Sequence, residues 1–296
     1  MRYVSWTSEN GRTCVFEGVG PYESPGPYFF RELTSDLSAT AETAKAPRQD
    51  GVTTYHVTLD ARTINLVGSM LVYGSKSSPA LAAYDRQRVW LAQAFAPNRW
   101  GVLTYYKEDG AVRVRCRPLA TPTIGAPVGT YSTIDISFTA DTPYWEDARE
   151  TVLAIGVIQR FWRFPWAARR WPMGAYTRFG MVDNPTEELI YPTVEVYTTG
   201  QEVTLSNLTY GEAVTIEHTI AADQKLVVDL RDVSAYLYEL DEAGDYQLQE
   251  DVSHWMSLDS VPWGLKPGIN RVAITNDMPE DTPVAHLRYR VPSLGV

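Results

Sequence analysis

A chain of 296 residues with 44% hydrophobic and 21% charged side chains holds enough apolar content for the cores of two ordinary domains, which excludes a disordered protein. No window approaches the roughly 20 apolar residues of a membrane helix, and Met1–Phe16 has no basic stretch followed by an apolar run, so a soluble, cytoplasmically made protein with no membrane contact is expected. The net charge of −10 is unevenly spread: residues 1–150 carry 15 basic and 16 acidic side chains, residues 179–296 carry 6 and 20. The acidic half repels phosphates and anionic surfaces and so argues against a grip on DNA through that region.

In chain order, Gly18, Val19 and Gly20 mimic a dinucleotide-binding turn, but Pro21 follows and no helix does. Cys14 and Cys116 fall in separate strand-like segments, so a disulfide framework is not expected, although two cysteines leave a chance pairing open. Thr34–Gly51 is rich in Ser, Thr, Ala and charge without apolar period, which predicts a long excursion, either a loose surface loop or an arm reaching a neighbouring subunit. Tyr55–Arg62 alternates, placing Tyr55, Val57, Leu59 and Ala61 on one face and His56, Thr58, Asp60 and Arg62 on the other, the pattern of a half-buried strand. Ser78 and Pro79 suit a helix start before Ala80–Phe95, with Tyr84, Leu91 and Phe95 at helical spacing and Pro97 beyond its end. Leu103–Lys107 and Val112–Arg117 predict a hairpin around an Asp109-Gly110 turn of type I′, with Val112, Val114 and Cys116 inward and Arg113, Arg115 and Arg117 outward. Ile134, Ile136, Phe138 and Ala140 repeat the alternation.

Asp141–Trp145 ends that strand, leaving Tyr144 and Trp145 as anchors where the chain leaves the first domain. Gln159–Gly180 sets Trp162, Trp166 and Trp171 among arginines including Arg163 and Arg170. Two readings fit: a nucleic-acid groove of stacking rings and guanidinium groups, or cation–π and packing contacts that pin a connector between domains or subunits. The second reading is favoured, because such clusters are common at interfaces. Beyond it, Pro192–Tyr197, Val203–Leu208, Ala213–Ile220 and Lys225–Leu230 alternate with turns between them, which predicts a sandwich of two antiparallel sheets. Glu239, Asp241, Glu242, Asp245, Glu250 and Asp251 surround Gly244 and read as a solvated hairpin turn rather than a glycosidase pair. Trp255, Trp263 and the turn Leu265–Asn270 close the region.

Chemistry is sparse. His56, His218, His254 and His286 form no HxxxH, HxH or Cys/His pair, and neither a phosphate-cradling loop nor a nucleophile elbow occurs, so no enzyme, metal or cofactor is expected. Asn207-Leu208-Thr209 fits a glycosylation pattern but lacks a secretory context.

The order of these parts resembles the distal tail protein family of long-tailed, non-contractile bacteriophages. The residues that carry the resemblance are Ser24–Leu33 (SPGPYFFREL), the helix followed by Phe95–Arg99 (FAPNR), Asp141–Trp145, Tyr191–Val194, Lys225–Asp229 and Leu265–Asn270 (LKPGIN), spread over nearly the whole chain. The resemblance implies a mainly β protein with a ring-forming domain over residues 1–150, containing one helix and a belt loop. A connector and a galectin-like sandwich would occupy residues 151–296. It further implies a homo-hexameric ring at the virion tail tip, assembled in the host cytoplasm. Its neighbours would be the tail tube protein, the tail-tip hub protein, the tape measure protein and receptor-binding components, with DNA passing through the lumen unbound. In the belt, Thr34, Leu37, Lys45 and Arg48 would then touch the next subunit. The competing reading is a carbohydrate-binding module in which Trp255 or Trp263 stacks on a pyranose ring, set against burial of both indoles behind the late turn.

Overall fold

The computed structural model describes residues 2–18, 27–71, 78–128, 131–156, 158–160, 174–176, 179–277 and 284–295. Two compact units divide the chain: Met1–Ala148 together with Ser293–Val296, and Arg149–Pro292. The stretch from Ser293 onward therefore groups with the first unit and not with the sandwich.

The first unit contains β1 (Tyr3–Ser8), β2 (Thr13–Glu17), β3 (Tyr28–Asp36), β4 (Ala39–Ala44), β5 (Thr53–Leu59), β6 (Arg62–Leu71), α1 (Ser78–Ala94), β7 (Gly101–Lys107), β8 (Gly110–Pro118), β9 (Thr123–Ile124), β10 (Tyr131–Ala140) and β11 (Trp145–Asp147). One antiparallel path runs β2-β1-β7-β8-β10-β6-β3, while among the described residues β4 and β5 pair only with each other. Alternation drives the path: Ile134, Ile136, Phe138 and Ala140 of β10 and Val112, Val114 and Cys116 of β8 all point into one core. Helix α1 covers that core with Tyr84 and Leu91, and Phe95 just past its end joins them, at the positions the periodicity predicts. Rings centre the packing, with Trp6 5.1 Å from Phe138 and 5.7 Å from Phe95, and each large buried side chain contributes roughly 1.5–3 kcal/mol. Gly101 permits this closeness, since a β-carbon there would lie 2.5 Å from the Thr7 carbonyl oxygen and 2.6 Å from the Trp6 ring.

Three expectations are corrected here. The β7–β8 turn pairs Lys107 with Gly110, so its central residues are Glu108 and Asp109. Neither has positive φ, whereas Gly110 takes φ 151° as the first residue of β8, so the turn is not of type I′. Tyr55–Arg62 is not one half-buried strand. It breaks at Asp60 and Ala61, and β5 is exposed at every position, with Tyr55 72% and Val57 55% accessible. Arg62, placed on the outer face by the alternation, is instead 1% exposed at the start of β6.

The second unit contains β12 (Thr151–Ile155), β13 (Ile158–Arg160), β14 (Gly174–Tyr176), β15 (Phe179–Asn184), β16 (Thr193–Tyr197), β17 (Val203–Asn207), β18 (Glu212–Ile216), β19 (Gln224–Asp229), β20 (Ser234–Leu240), β21 (Tyr246–Asp251), a single 3-10 turn (Ser253–Trp255), β22 (Gly268–Asn276) and β23 (Val284–Tyr289); β24 (Pro292–Ser293) then pairs with β11. A six-stranded sheet, β12-β23-β16-β19-β20-β21, and a four-stranded sheet, β15-β22-β17-β18, make up the sandwich. Val194, Val196, Leu226, Val228 and Leu287 from the first, and Val203, Leu205, Val214, Ile216 and Ile274 from the second, form one core. Trp263 lies in it, 1% exposed, and donates its indole N–H to the Leu205 carbonyl at 3.0 Å. Buried asparagines fix the late turn. Asn270 donates to the carbonyls of Lys266 (2.7 Å) and Gly268 (2.9 Å), and Asn207 donates to Asn270 Oδ1 at 3.1 Å. Asn207 is fully buried, so in the folded chain its amide is closed to glycosylation.

Candidate functional site

Hairpin β4–β5 is the first candidate. Its register pairs Ala39 with Leu59 and Ala41 with Val57, so these share one face. The opposite face pairs Thr40 with Thr58 and Glu42 with His56, and a bulge follows Glu42. The polar face is tied at its base: the Asp60 carboxylate accepts from Ser38 Oγ at 3.0 Å and Thr40 Oγ1 at 3.0 Å. At the tip, Gln49 Oε1 accepts from the Ala46 N–H at 2.9 Å while Gln49 Nε2 donates to Thr53 Oγ1 at 2.9 Å. The apolar face of Ala39, Ala41, Val57 and Leu59, with Tyr55 beside the bulge, is open to solvent. A two-stranded ribbon outside any larger sheet is marginal in water by itself, and exposed apolar strands of this kind mark interaction surfaces.

The belt positions fall around this hairpin. Thr34 lies near the end of β3 opposite Asn65, and Leu37 in the link to β4. Lys45 and Arg48 are exposed in the tip, where Arg48 has φ 67°. The excursion predicted over Thr34–Gly51 is thus a β-hairpin that runs on to Leu59, not a loop without secondary structure.

Of the connector anchors, Tyr144 is half-buried, whereas Trp145 is wholly buried in the first core and donates its indole N–H to Ser35 Oγ at 3.2 Å. Trp162, Arg163, Trp166, Arg170 and Trp171 lie outside the described residues. On either side of them β13 and β14 pair, Ile158 opposite Tyr176.

Two features escaped the alternation pattern. Arg62 donates to the Pro143 carbonyl (2.7 Å), Ser35 Oγ (2.7 Å) and the Leu294 carbonyl (2.8 Å). Burial draws its pKa below the ordinary arginine value. Nothing local to residue 62 announces this, because its partners come from distant segments. The second is Trp255, 45% exposed where Trp263 is buried. It stands in an open depression of about 550 Å³ with Glu217, His218 and Asp277. His218, expected within a strand, lies two residues past the end of β18.

Among the described residues no group of three His, Cys, Asp or Glu side chains can hold a metal ion. Burial raises the thiol pKa of both Cys14 and Cys116, and both are free. The Glu239–Asp251 carboxylates lie on the β20–β21 hairpin, where Asp241 accepts from the N–H groups of Ala243 (2.9 Å) and Asp245 (2.8 Å) in a turn that has Gly244 at φ 88°.

The molecule is a mainly β protein of antiparallel sheets with one helix among the described residues, and its second unit is a sandwich. Its fold is shared with the crystal structure of the Dit protein (gp 19.1) of phage SPP1, described as a paradigm of the hub adsorption apparatus in phages infecting Gram-positive hosts. The TM-score is 0.64 over 98% of this chain and 99% of that one, at 13% sequence identity. Chains of the phage P2 baseplate in its activated conformation, with Ca and with Sr, align over 100% of both partners at 12% identity and a TM-score of 0.49. No family model and no curated protein matches the sequence.

Proposed function

We propose that this chain is a structural distal tail protein of a long-tailed bacteriophage. Copies associate through their first units into a hexameric ring that joins the tail tube to the tail-tip hub. The ring meets the tape measure protein and lets DNA pass through its lumen, and the sandwiches offer docking surfaces for receptor-binding components. It acts at the virion tail tip after assembly in the host cytoplasm, and its role is mechanical rather than catalytic. The observation that carries this reading is the fold shared with SPP1 Dit along the whole length of both chains.

The occupant of the hairpin's apolar face is a second copy of the chain. Charge favours this: residues 1–150 carry 15 basic against 16 acidic groups and can pack copy against copy, whereas residues 179–296, with 6 against 20, repel one another and stay solvated. A patch that meets a different patch on its neighbour closes into a ring when the rotation allows. Thr34, Leu37, Lys45 and Arg48 are the contact residues assigned to this belt, and Tyr144 with the Trp162–Trp171 cluster is assigned to the connector's contacts.

Replacing residues 37–60 by a short turn tests the reading, since β3 and β6 still pair from Asp36 to Thr63. The variant is expected to melt as a folded monomer and to give only monomer by mass photometry. A ring that survives the deletion overturns the belt assignment.

A further inference from the structure

The depression around Trp255 lies within the second unit and is independent of any ring. Three chain segments converge there: the residues before β17, those after β18, and the end of β22. They are stitched together, because Asp277 Oδ1 accepts the N–H groups of Gln201 (2.9 Å) and Glu202 (3.3 Å), and the Asp277 N–H donates to the Glu202 carbonyl at 3.3 Å. The backbone of Trp255 is fixed as well: its backbone N–H donates to the carbonyl of the buried Val252 at 3.0 Å, and its carbonyl accepts from the Glu217 backbone N–H at 3.0 Å. The rings of His218 and His254 stand 5.7 and 5.2 Å from it, both tilted. An aromatic face that a core would normally cover is thus open to solvent on a backbone held by hydrogen bonds, so no backbone rearrangement need precede binding.

We infer that this depression is a saccharide-binding subsite, in which the C–H face of a pyranose ring lies on the Trp255 indole and its hydroxyls reach the surrounding polar groups. The volume of about 550 Å³ falls within the roughly 300–1,000 Å³ of small-molecule sites. The walls supply what a sugar rim needs: carboxylate acceptors on Glu202, Glu217 and Asp277, and groups that donate as well as accept on Gln201, His218 and Thr219. Among the described residues the wall has three carboxylates and neither lysine nor arginine, so it selects neutral or amine-bearing sugars and repels uronic, sialic and phosphorylated ones. A bare quaternary ammonium ion would use the ring face but leave these donors and acceptors unmatched.

The test is saturation-transfer NMR on the full chain with maltotriose, N-acetylchitotriose, a glucosamine trisaccharide, sialyllactose and choline. Transfer to the ring protons of at least one neutral or amine-bearing trisaccharide is expected, with none to sialyllactose. Trp255→Ala is expected to weaken that binding about tenfold or more, and Trp255→Phe to recover part of it. An unchanged thermal transition shows that the variants fold, and Trp100→Ala, in the other unit, serves as the control that leaves binding intact. Absence of transfer from all three neutral or basic sugars, transfer indifferent to Trp255→Ala, or a response to choline alone would each overturn the assignment.

Discussion

Arg62 shows how a single side chain can organise distant segments. Its guanidinium fork reaches two carbonyls and a hydroxyl from three different stretches, and its 1% exposure leaves no water to replace them. Arg62→Ala strands the Pro143 and Leu294 carbonyls, so a loss on the order of 3–5 kcal/mol is expected in denaturant unfolding. Arg62→Lys should recover little of this, because an ammonium on a flexible stem cannot reproduce the fork. A stability within 1 kcal/mol of the parent for Arg62→Ala would refute the clasp. Sequence reading assigned Arg62 to solvent because alternation counts faces and cannot see partners 81 and 232 residues away. Trp263 and Trp255 were equally ambiguous: both are tryptophans near one turn, and only the fold separates the indole bonded to Leu205 from the open one.

Among elements, strands whose alternating face meets a second sheet or the helix were legible, as β8, β10, β16 and β19 demonstrate. The failure at β5 is instructive. Its period is that of a half-buried strand, but period reports only that one face is apolar, not what lies against it. The β20–β21 turn was legible as a solvated hairpin, and its carboxylate gives it a defined acid response. Asp241 has its pKa lowered from the ordinary carboxylate value, chiefly by the hydrogen bond from the Asp245 N–H. A folded-state pKa below the unfolded one means that this bond stabilises the turn above the ordinary carboxylate value. The contribution is lost as pH falls through the lowered value. The protection factors of the Ala243 and Asp245 amides, measured against the intrinsic exchange rate at each pH, should therefore fall on acidification, and Asp241→Asn should remove that step while the rest of the sheet keeps its protection. Protection factors at both amides that stay flat with acid in the parent would contradict it.

At the scale of the whole molecule, a mainly β composition was legible from the patterning. The boundary from Ser293 onward was not. Pro292–Ser293 is too short to carry a period, and its pairing with β11 joins parts of the chain nearly 150 residues apart. A fragment ending at Ala148 should consequently unfold more easily than one in which a Gly-Ser linker joins Ala148 directly to Ser293, by about 1–3 kcal/mol, since only the latter supplies the Leu294 carbonyl to Arg62. Equal melting of the two fragments would show that the returning segment contributes nothing. The same return imposes an order of events on a nascent polypeptide. Everything from Arg149 to Pro292 must leave the ribosome before Leu294 can reach Arg62, a wait of roughly ten to thirty seconds at ordinary elongation rates. Throughout that interval the domain proposed to self-associate lacks its Leu294 contact, and the sandwich waits almost as long for β23, which lies between β12 and β16 in its larger sheet, so both units are completed only as the last strands emerge.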